Sequence, residues 1–280
     1  MPFFDFQSFK ILYVYSGAPH PDAPVITFIH GFTASSNIYK SQIEAFRDKY
    51  RVIALDLLGH GESSRPLPEV AGKLYHHDGF LQSVMALLHH LNISHTNVVG
   101  WSMGTGAALE FAHQYPQMVD RLVLIGASPL FFLPSDEPTF PAFPKSASDA
   151  LLKSIQTQYS QIYYNFVFGW FPDYTPGDIP PTFIEDALDD AASMSGKIAY
   201  GILSQCGVQD FRDRVPQVKT KTLIVQGGKD ALIPNDAAKW MYDHLGGQKD
   251  WLYYEDQGHV PFLGSNTEKF NSDLEEFLVS

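Results

Sequence analysis

The stretch VVGWSMGTGAALEFA, residues 98–112, places Ser102 between two glycines, with an apolar run before it and an alanine-rich run after it. A Gly-x-Ser-x-Gly pentapeptide alone is also compatible with a tight packing corner, so its flanks are informative. The run TNVVG at 96–100 predicts a buried strand, and the small residues from Gly104 onward predict a helix that packs close to a sheet. Ser102 is therefore predicted to lie in a sharp strand-to-helix turn, with its hydroxyl clear of the sheet at a helix N-terminus.

Short apolar runs like TNVVG recur along the chain and end in small or polar residues. Such runs are typical of parallel strands that are covered on both faces. Helical patterns separate them at 35–46, 73–91 and 103–115, while FQSFKILYVYSG at 6–17 predicts an antiparallel edge hairpin. We therefore expect an α/β fold with a mostly parallel, doubly wound sheet. The remaining runs are VITFIHG (25–31), RVIALDLLGHG (51–61), RLVLIGAS (121–128) and KTLIVQGGKD (221–230).

The alternation of strand and helix stops near Ser128 and resumes near Lys221. The segment between them opens with a proline-rich stretch and continues with helical, aromatic-rich patterns at 146–171 and 181–205. This predicts a helical cap at 129–215, inserted into a core of residues 1–128 and 216–280. Most cap aromatics are expected to fasten the cap helices to the core, and the remainder to line an apolar pocket. The residues chosen for the pocket are Phe131, Phe132, Tyr163, Phe166 and Trp170.

The charge balance restricts the partners of the protein. With 31 acidic and 19 basic residues the formal net charge is −12, which repels phosphate backbones, so we expect no nucleic-acid partner. The single cysteine, Cys206, rules out an internal disulfide and fits a reducing compartment. No run reaches the ~18 apolar residues of a membrane span, and the N-terminus lacks the features of a signal peptide. We expect a cytoplasmic protein without a membrane span, and the sequence leaves a homodimer open.

The eleven histidines do not form a metal motif. The doublets His76-His77 and His89-His90 lie on or beside a helix, where adjacent side chains point apart. Since the chain has one cysteine and no HExxH, we expect no metal and no cofactor.

A reactive serine needs a base, an acid that orients the base, and donors for the oxyanion. Asp230 follows the predicted strand TLIVQ, and His259 follows the last predicted strand, so the chain order is Ser102, Asp230, His259. The loop after the penultimate strand is the usual site of such an acid, which favours Asp230. The rival acids are Asp56, Asp250 and Asp256.

The oxyanion donors are expected from backbone N–H groups. FIHGFTASS ends a strand at His30-Gly31, which places the N–H of Phe32 beside the serine, and the N–H of Met103 follows the serine directly. His30 is expected to shape this loop, and His60 in LGHGESS to brace its own loop.

Five motifs in this order resemble the signature of the α/β-hydrolase superfamily: HGFTASS, DLLGHGESS, GWSMGT, GGKDALIP and QGHVPF. The resemblance implies Ser102 as nucleophile, Asp230 as acid, His259 as base, and Phe32 and Met103 as oxyanion donors, beneath a cap. Within the superfamily, GWSMG together with GHVPF is similar to the carboxylesterases that demethylate pimeloyl-carrier-protein methyl ester. Thr105 departs from this pattern, because such elbows commonly carry a second consecutive glycine there.

The expected function is that of a cofactor-independent serine hydrolase that cleaves carboxylic esters with small-to-medium apolar acyl or aryl groups through an acyl-enzyme. A serine at the elbow sets aside haloalkane dehalogenases and epoxide hydrolases, which carry an aspartate there. The sequence leaves open a serine aminopeptidase, a carbon–carbon bond hydrolase and a ligand receptor with slow turnover, since fold and motif do not set the rate.

Overall fold

The sheet of this computed structural model is built as the apolar runs predict. The structure describes residues 2–16, 20, 22–137, 139–171 and 179–280. Within these residues eight strands form one sheet in the order β1-β2-β4-β3-β5-β6-β7-β8. They are β1 (Phe3–Phe6), β2 (Phe9–Tyr15), β3 (Val25–Ile29), β4 (Arg51–Leu55), β5 (Thr96–Trp101), β6 (Val119–Ile125), β7 (Thr222–Gly227) and β8 (Lys249–Tyr254).

The strands from β3 to β8 run parallel, and β1 and β2 form the expected antiparallel hairpin at one edge. Every residue of β3, β5 and β7 is buried, which is why these segments read as continuous apolar runs. The predicted doubly wound α/β sheet is confirmed. Because parallel strands end at the same edge, the loops after β3, β5, β7 and β8 meet there.

Helices cover both faces of the sheet. They are α1 (Lys40–Phe46), α2 (Pro68–Ala71), α3 (His77–His90), α4 (Gly104–Gln114), α5 (Lys145–Gly169), α6 (Pro181–Ser193), α7 (Gly196–Cys206), α8 (Asn235–His244) and α9 (Thr267–Val279). In the described part of the chain, none of the helices combines the length and the apolar character that a bilayer span requires.

Two helix boundaries differ from the sequence prediction. The pattern at 73–91 is helical only in part, because His76 is extended (ψ 158°) and separates a short 3-10 turn from α3. The pattern at 181–205 is two helices, since Met194 is extended (ψ 140°) and the Ser195 side chain caps α7 by accepting from the Ile198 N–H at 3.3 Å. In both places a local extended residue overrides the apolar periodicity.

The insert between β6 and β7 contains α5, α6 and α7. Helix α5 is kinked at Gln158, which has non-helical angles (φ −141°, ψ 37°). Helix α7 joins the main core, because Ile198, Ile202 and Leu203 belong to the same buried cluster as the sheet residues. Residues 172–178, within the predicted cap, lie outside the described residues. The cap bounds 129–215 stay a prediction.

Candidate active site

Ser102 occupies the turn between β5 and α4 in a left-handed conformation. Its φ is +53°, a region that residues with a side chain rarely adopt. The turn is held by hydrogen bonds at both ends: the Ser102 N–H donates to the Ile125 carbonyl at 2.9 Å, and the Thr105 N–H and hydroxyl donate to the Ser102 carbonyl at 2.9 and 2.6 Å. Strain of this kind is typical of functional sites. Thr105 thus holds the turn through two hydrogen bonds.

Glycines allow the close packing around this turn. A Cβ at Gly104 would lie 2.3 Å from the Ile29 carbonyl oxygen, and one at Gly31 would lie 2.9 Å from the Ser102 Cβ. The loop after β3 therefore lies directly against the serine. Any side chain at Gly31 or Gly104 would push that loop away from Ser102.

Asp230 and His259 meet at the ends of neighbouring strands. His259 Nδ1 lies 2.8 Å from Asp230 Oδ2, and each side chain is only 1% exposed. The other carboxylate oxygen, Oδ1, accepts the N–H groups of Leu232 at 2.8 Å and Ile233 at 2.9 Å. Burial acts to raise the pKa of Asp230, but the imidazole and these two N–H groups outweigh it and hold the pKa below its ordinary value. An ionised Asp230 keeps the proton on Nδ1, so Nε2 is free to accept one.

The three rival acids have other contacts or are exposed. Asp256 is 85% exposed and pairs with Lys229 at 3.6 Å. Asp56 accepts the N–H groups of Ser36 and Glu62, each at 2.8 Å, and Asp250 is an exposed residue of β8. Of the four candidates, Asp230 has the contact that an orienting acid needs.

The His259 backbone is fastened by two tryptophans. Its N–H donates to the Trp170 carbonyl at 3.1 Å, and its own carbonyl accepts from Trp101 Nε1 at 2.8 Å. Gly126, which follows the strand residue bonded to Ser102, faces the imidazole, since a Cβ there would lie 3.1 Å from His259 Cε1. Ser102 and His259 thus converge on the end of β6.

His30 supports the loop that carries Phe32. His30 Nε2 accepts the Leu57 N–H at 3.0 Å, so Nδ1 carries the proton and donates to the Gly31 carbonyl at 2.8 Å. Burial lowers the pKa of His30, which keeps the ring neutral. His60 is buried against the His30 ring, at 5.0 Å between ring centroids, and burial sets its pKa well below the ordinary value. Both histidines brace loops, as the sequence predicts.

A pocket opens beside Ser102, with about 570 Å³ of empty space including its mouth. Phe32 and Met103 line it, as do two of the five cap aromatics that the sequence proposed, Phe131 and Phe166. The other lining residues are His77, Thr105, Gly106, Gly126, Ser128, Leu203, Cys206, Gly207, Gln209, Phe211 and Ile233.

Three of the proposed pocket aromatics, Phe132, Tyr163 and Trp170, are not among the residues that line this pocket. Trp170 is 1% exposed and packs edge-on against Trp101, with ring centroids 5.1 Å apart. Phe132 is buried in the core, where it fills the space beside Gly207. Tyr163 packs against the Tyr159 ring at 5.3 Å between centroids. All three contribute to the packing of the insert.

His77 lines the pocket from the start of α3, a position that the sequence did not predict. Its ring packs directly against Gly106, since a Cβ there would be 2.4 Å from both Nδ1 and Cε1. Burial lowers the pKa of His77 to about 3, so the ring is neutral. Two adjacent histidines at the start of a helix do not indicate which of them lines a pocket. Over the described ranges, His, Cys, Asp and Glu form no cluster of three or more that could hold a metal ion.

Comparisons with known proteins agree with this architecture. The family described as alpha/beta hydrolase fold matches residues 24–265. The non-heme chloroperoxidase CPO-A1 of Kitasatospora aureofaciens is 29% identical over 258 residues, which cover 90% of this chain and 91% of that protein. The karrikin insensitive 2 receptor CA of Petunia hybrida is 22% identical, with 86% of each chain covered. The esterase EaEST of Exiguobacterium antarcticum has a TM-score of 0.85 at 24% identity, over 97% of this chain and 96% of that one.

Proposed function

The chain belongs to the alpha/beta hydrolase fold family, and on that premise we propose that it is a cofactor-independent serine hydrolase that cleaves carboxylic esters. The observation that carries the proposal is the placement of Ser102 in a strained left-handed turn, beside a pocket and near a buried imidazole that is bonded to Asp230 at 2.8 Å. Such strain and such a pair support the assignment of Ser102 as an activated nucleophile.

In the proposed reaction, His259 Nε2 takes the proton of Ser102 as Oγ bonds to the ester carbonyl carbon. The carbonyl electron pair moves to the oxygen, and the N–H groups of Phe32 and Met103 hold the resulting oxyanion. When the carbonyl re-forms, the bond to the alcohol oxygen breaks, and the protonated His259 gives that oxygen its proton. Water then repeats the two steps on the acyl-enzyme, which releases the acid and restores Ser102.

The pocket lining supports an uncharged acyl or aryl group. None of the described lining residues is Asp, Glu, Lys or Arg, and most are apolar or aromatic. The hydroxyls of Ser128 and Thr105 donate to backbone carbonyls, each at 2.6 Å. A pocket of this kind holds its ligand mainly through apolar contact. We propose esters with small-to-medium apolar acyl or aryl groups as substrates.

The same lining weighs against the aminopeptidase alternative. A peptidase that binds a free N-terminal ammonium needs a carboxylate beside it, and no described pocket residue supplies one. Two acids of α6 are engaged elsewhere: Asp186 pairs with Lys40 at 2.6 Å, and Asp190 accepts from Ser35. The lining does not discriminate against a carbon–carbon bond hydrolase.

A fluorophosphonate probe tests the nucleophile directly. We expect the wild type to be labelled and Ser102→Ala to be spared. Ser128→Ala is the matched control, because it removes a hydroxyl from the same pocket and leaves Ser102 in place. Labelling of Ser102→Ala at the wild-type rate would eliminate this serine as the nucleophile.

A slow-turnover receptor is the second candidate, favoured by the similarity to the karrikin insensitive 2 receptor CA at 22% identity. Burst kinetics with an activated ester separate the two functions. Continued rapid turnover after the first equivalent of product supports the esterase. One slow acylation that then stalls supports the receptor.

A further inference from the structure

The insert is bonded to the loop that carries Phe32. This loop runs from the end of β3 into a short 3-10 helix, Ser36–Tyr39. The Ser35 hydroxyl donates to Asp190 Oδ2 of α6 at 2.5 Å, and the Asn37 side chain hydrogen-bonds the same carboxylate. Ser35 is fully buried, and its oxygen also accepts the Asn37 N–H at 3.1 Å. One buried hydroxyl therefore connects the insert to the start of this 3-10 helix.

The loop requires such support because its backbone is strained. Thr33 has a φ of +65°, which is unfavourable for a β-branched residue. Its hydroxyl is buried without a hydrogen-bond partner among the described residues. On the core side, Asp56 Oδ1 accepts the Ser36 N–H at 2.8 Å. Two carboxylates thus hold the loop, one from the core and one from the insert.

We propose that Asp190 is a positioning residue, which acts through Ser35 to fix the loop that presents the Phe32 N–H to the developing oxyanion. The inference rests on the proposed function, because it assigns a role within that reaction. Asp190 is not among the residues that line the pocket beside Ser102, so its effect is exerted through the loop. A small displacement of an oxyanion donor is enough to slow the chemical step.

The electrostatic setting supports a strong bond between Ser35 and Asp190. Burial raises the pKa of Asp190 to about 6, and the charges of Asp56 and Asp186 add to this effect, while the bonds from Ser35 and Asn37 oppose it. The carboxylate is therefore ionised at pH 8, where its bond to the hydroxyl is charge-assisted. Asp186 lies one turn earlier on α6 and forms an exposed pair with Lys40, so Asp186→Ala is a matched control.

The test is a double-mutant cycle on p-nitrophenyl butyrate hydrolysis at pH 8. Ser35→Ala, Asp190→Ala and the double variant should each lower kcat about tenfold with KM little changed, and the double should be no worse than either single. Asp190→Asn keeps an acceptor for the Ser35 hydroxyl and should retain most of the activity. Asp186→Ala should stay near the wild type.

An alkyl trifluoromethyl ketone supplies a second readout. The Ser102 oxygen adds to the ketone carbon, His259 takes the serine proton, and the ketone oxygen becomes an oxyanion that needs the same donors. Its affinity should fall by about the same factor as kcat/KM in Ser35→Ala and Asp190→Ala. If Asp190→Ala does not fold, Ser35→Ala carries the test, because it must lower both quantities together.

The role of Asp190 would be overturned by a kcat for Asp190→Ala equal to that of Asp186→Ala, by losses that multiply in the double variant, or by an Asp190→Asn variant as impaired as Asp190→Ala. A rise in KM with kcat and ketone affinity unchanged would do the same. Failure of the proposed function is a separate result, in which the wild type hydrolyses no ester and takes no fluorophosphonate label.

Discussion

Asp230 and His259 lie 29 positions apart in the chain, yet their side chains meet at 2.8 Å because they follow the adjacent parallel strands β7 and β8. The same carboxylate is anchored by two backbone N–H groups of its own loop. The imidazole is therefore oriented by an acid that has little freedom to move.

We expect Asp230→Asn to lower kcat far more than Asp256→Asn. Without the carboxylate the imidazole is no longer held in the required tautomer, and its positive charge is no longer compensated. In serine proteases the corresponding substitution lowers kcat on the order of 10⁴-fold. Asp256 is exposed and pairs only with Lys229 among the contacts described for it, so its loss should leave kcat near the wild type. Steady-state kinetics on one activated ester decide the matter. A large loss of kcat in Asp256→Asn would instead identify Asp256 as the acid that orients His259.

We expect Ser102→Gly to fold more stably than Ser102→Ala, although both are inactive. At φ +53° a glycine is unstrained, whereas an alanine keeps the Cβ that makes this conformation costly. The expected gain in free energy of unfolding is about 1 kcal/mol, measured by urea denaturation. A Ser102→Gly variant that is less stable than Ser102→Ala would show that the turn is not strained.

We expect kcat/KM to rise severalfold for each added acyl carbon until the pocket is filled, and then to fall, because each buried methylene contributes about 0.8 kcal/mol. A p-nitrophenyl ester series from acetate to palmitate measures this dependence. Phe166→Ala should move the optimum to longer chains, while Tyr164→Ala should not, since Tyr164 is 48% exposed on the same helix. A preference for palmitate in the wild type would contradict the proposed substrate range.

We expect Asp190→Asn to be more stable than the wild type at pH 8 but not at pH 4. The pKa of Asp190 is raised from 3.8 to about 6 in the folded protein, so folding favours the protonated acid and the wild type loses stability as the pH rises through this window. The difference in free energy of unfolding should be near zero at pH 4 and about 1–3 kcal/mol at pH 8. Urea denaturation at both pH values measures it, and a difference independent of pH would argue against the buried charge.

The sequence predicts the inner part of the sheet well because β3, β5 and β7 are buried along their whole length and read as apolar runs. Ser102 and Asp230 come just after the ends of two such strands, β5 and β7, and His259 follows the partly exposed edge strand β8. Their proximity at one edge of the sheet was therefore predictable before any distance was known.

The pocket lining was predictable only in part, because the way the insert docks decides which of its aromatic side chains face the pocket. Phe131 and Phe132 are neighbours in sequence, yet Phe131 lines the pocket and Phe132 fills the space beside Gly207. The Ser35–Asp190 bond joins residues 155 positions apart and leaves no local signal in the chain. Contacts between residues so far apart in the chain are set by tertiary packing, which the hydrophobic periodicity of the sequence does not reveal.

The bond from the His259 N–H to the Trp170 carbonyl has a consequence for renaturation experiments. Formation of the sheet alone cannot position the imidazole, since the carbonyl that holds the His259 backbone belongs to Trp170, the residue that follows α5 in the insert. After dilution from denaturant, the recovery of catalytic rate should therefore lag behind the recovery of the far-ultraviolet circular dichroism signal. The length of that lag measures how long the insert takes to dock.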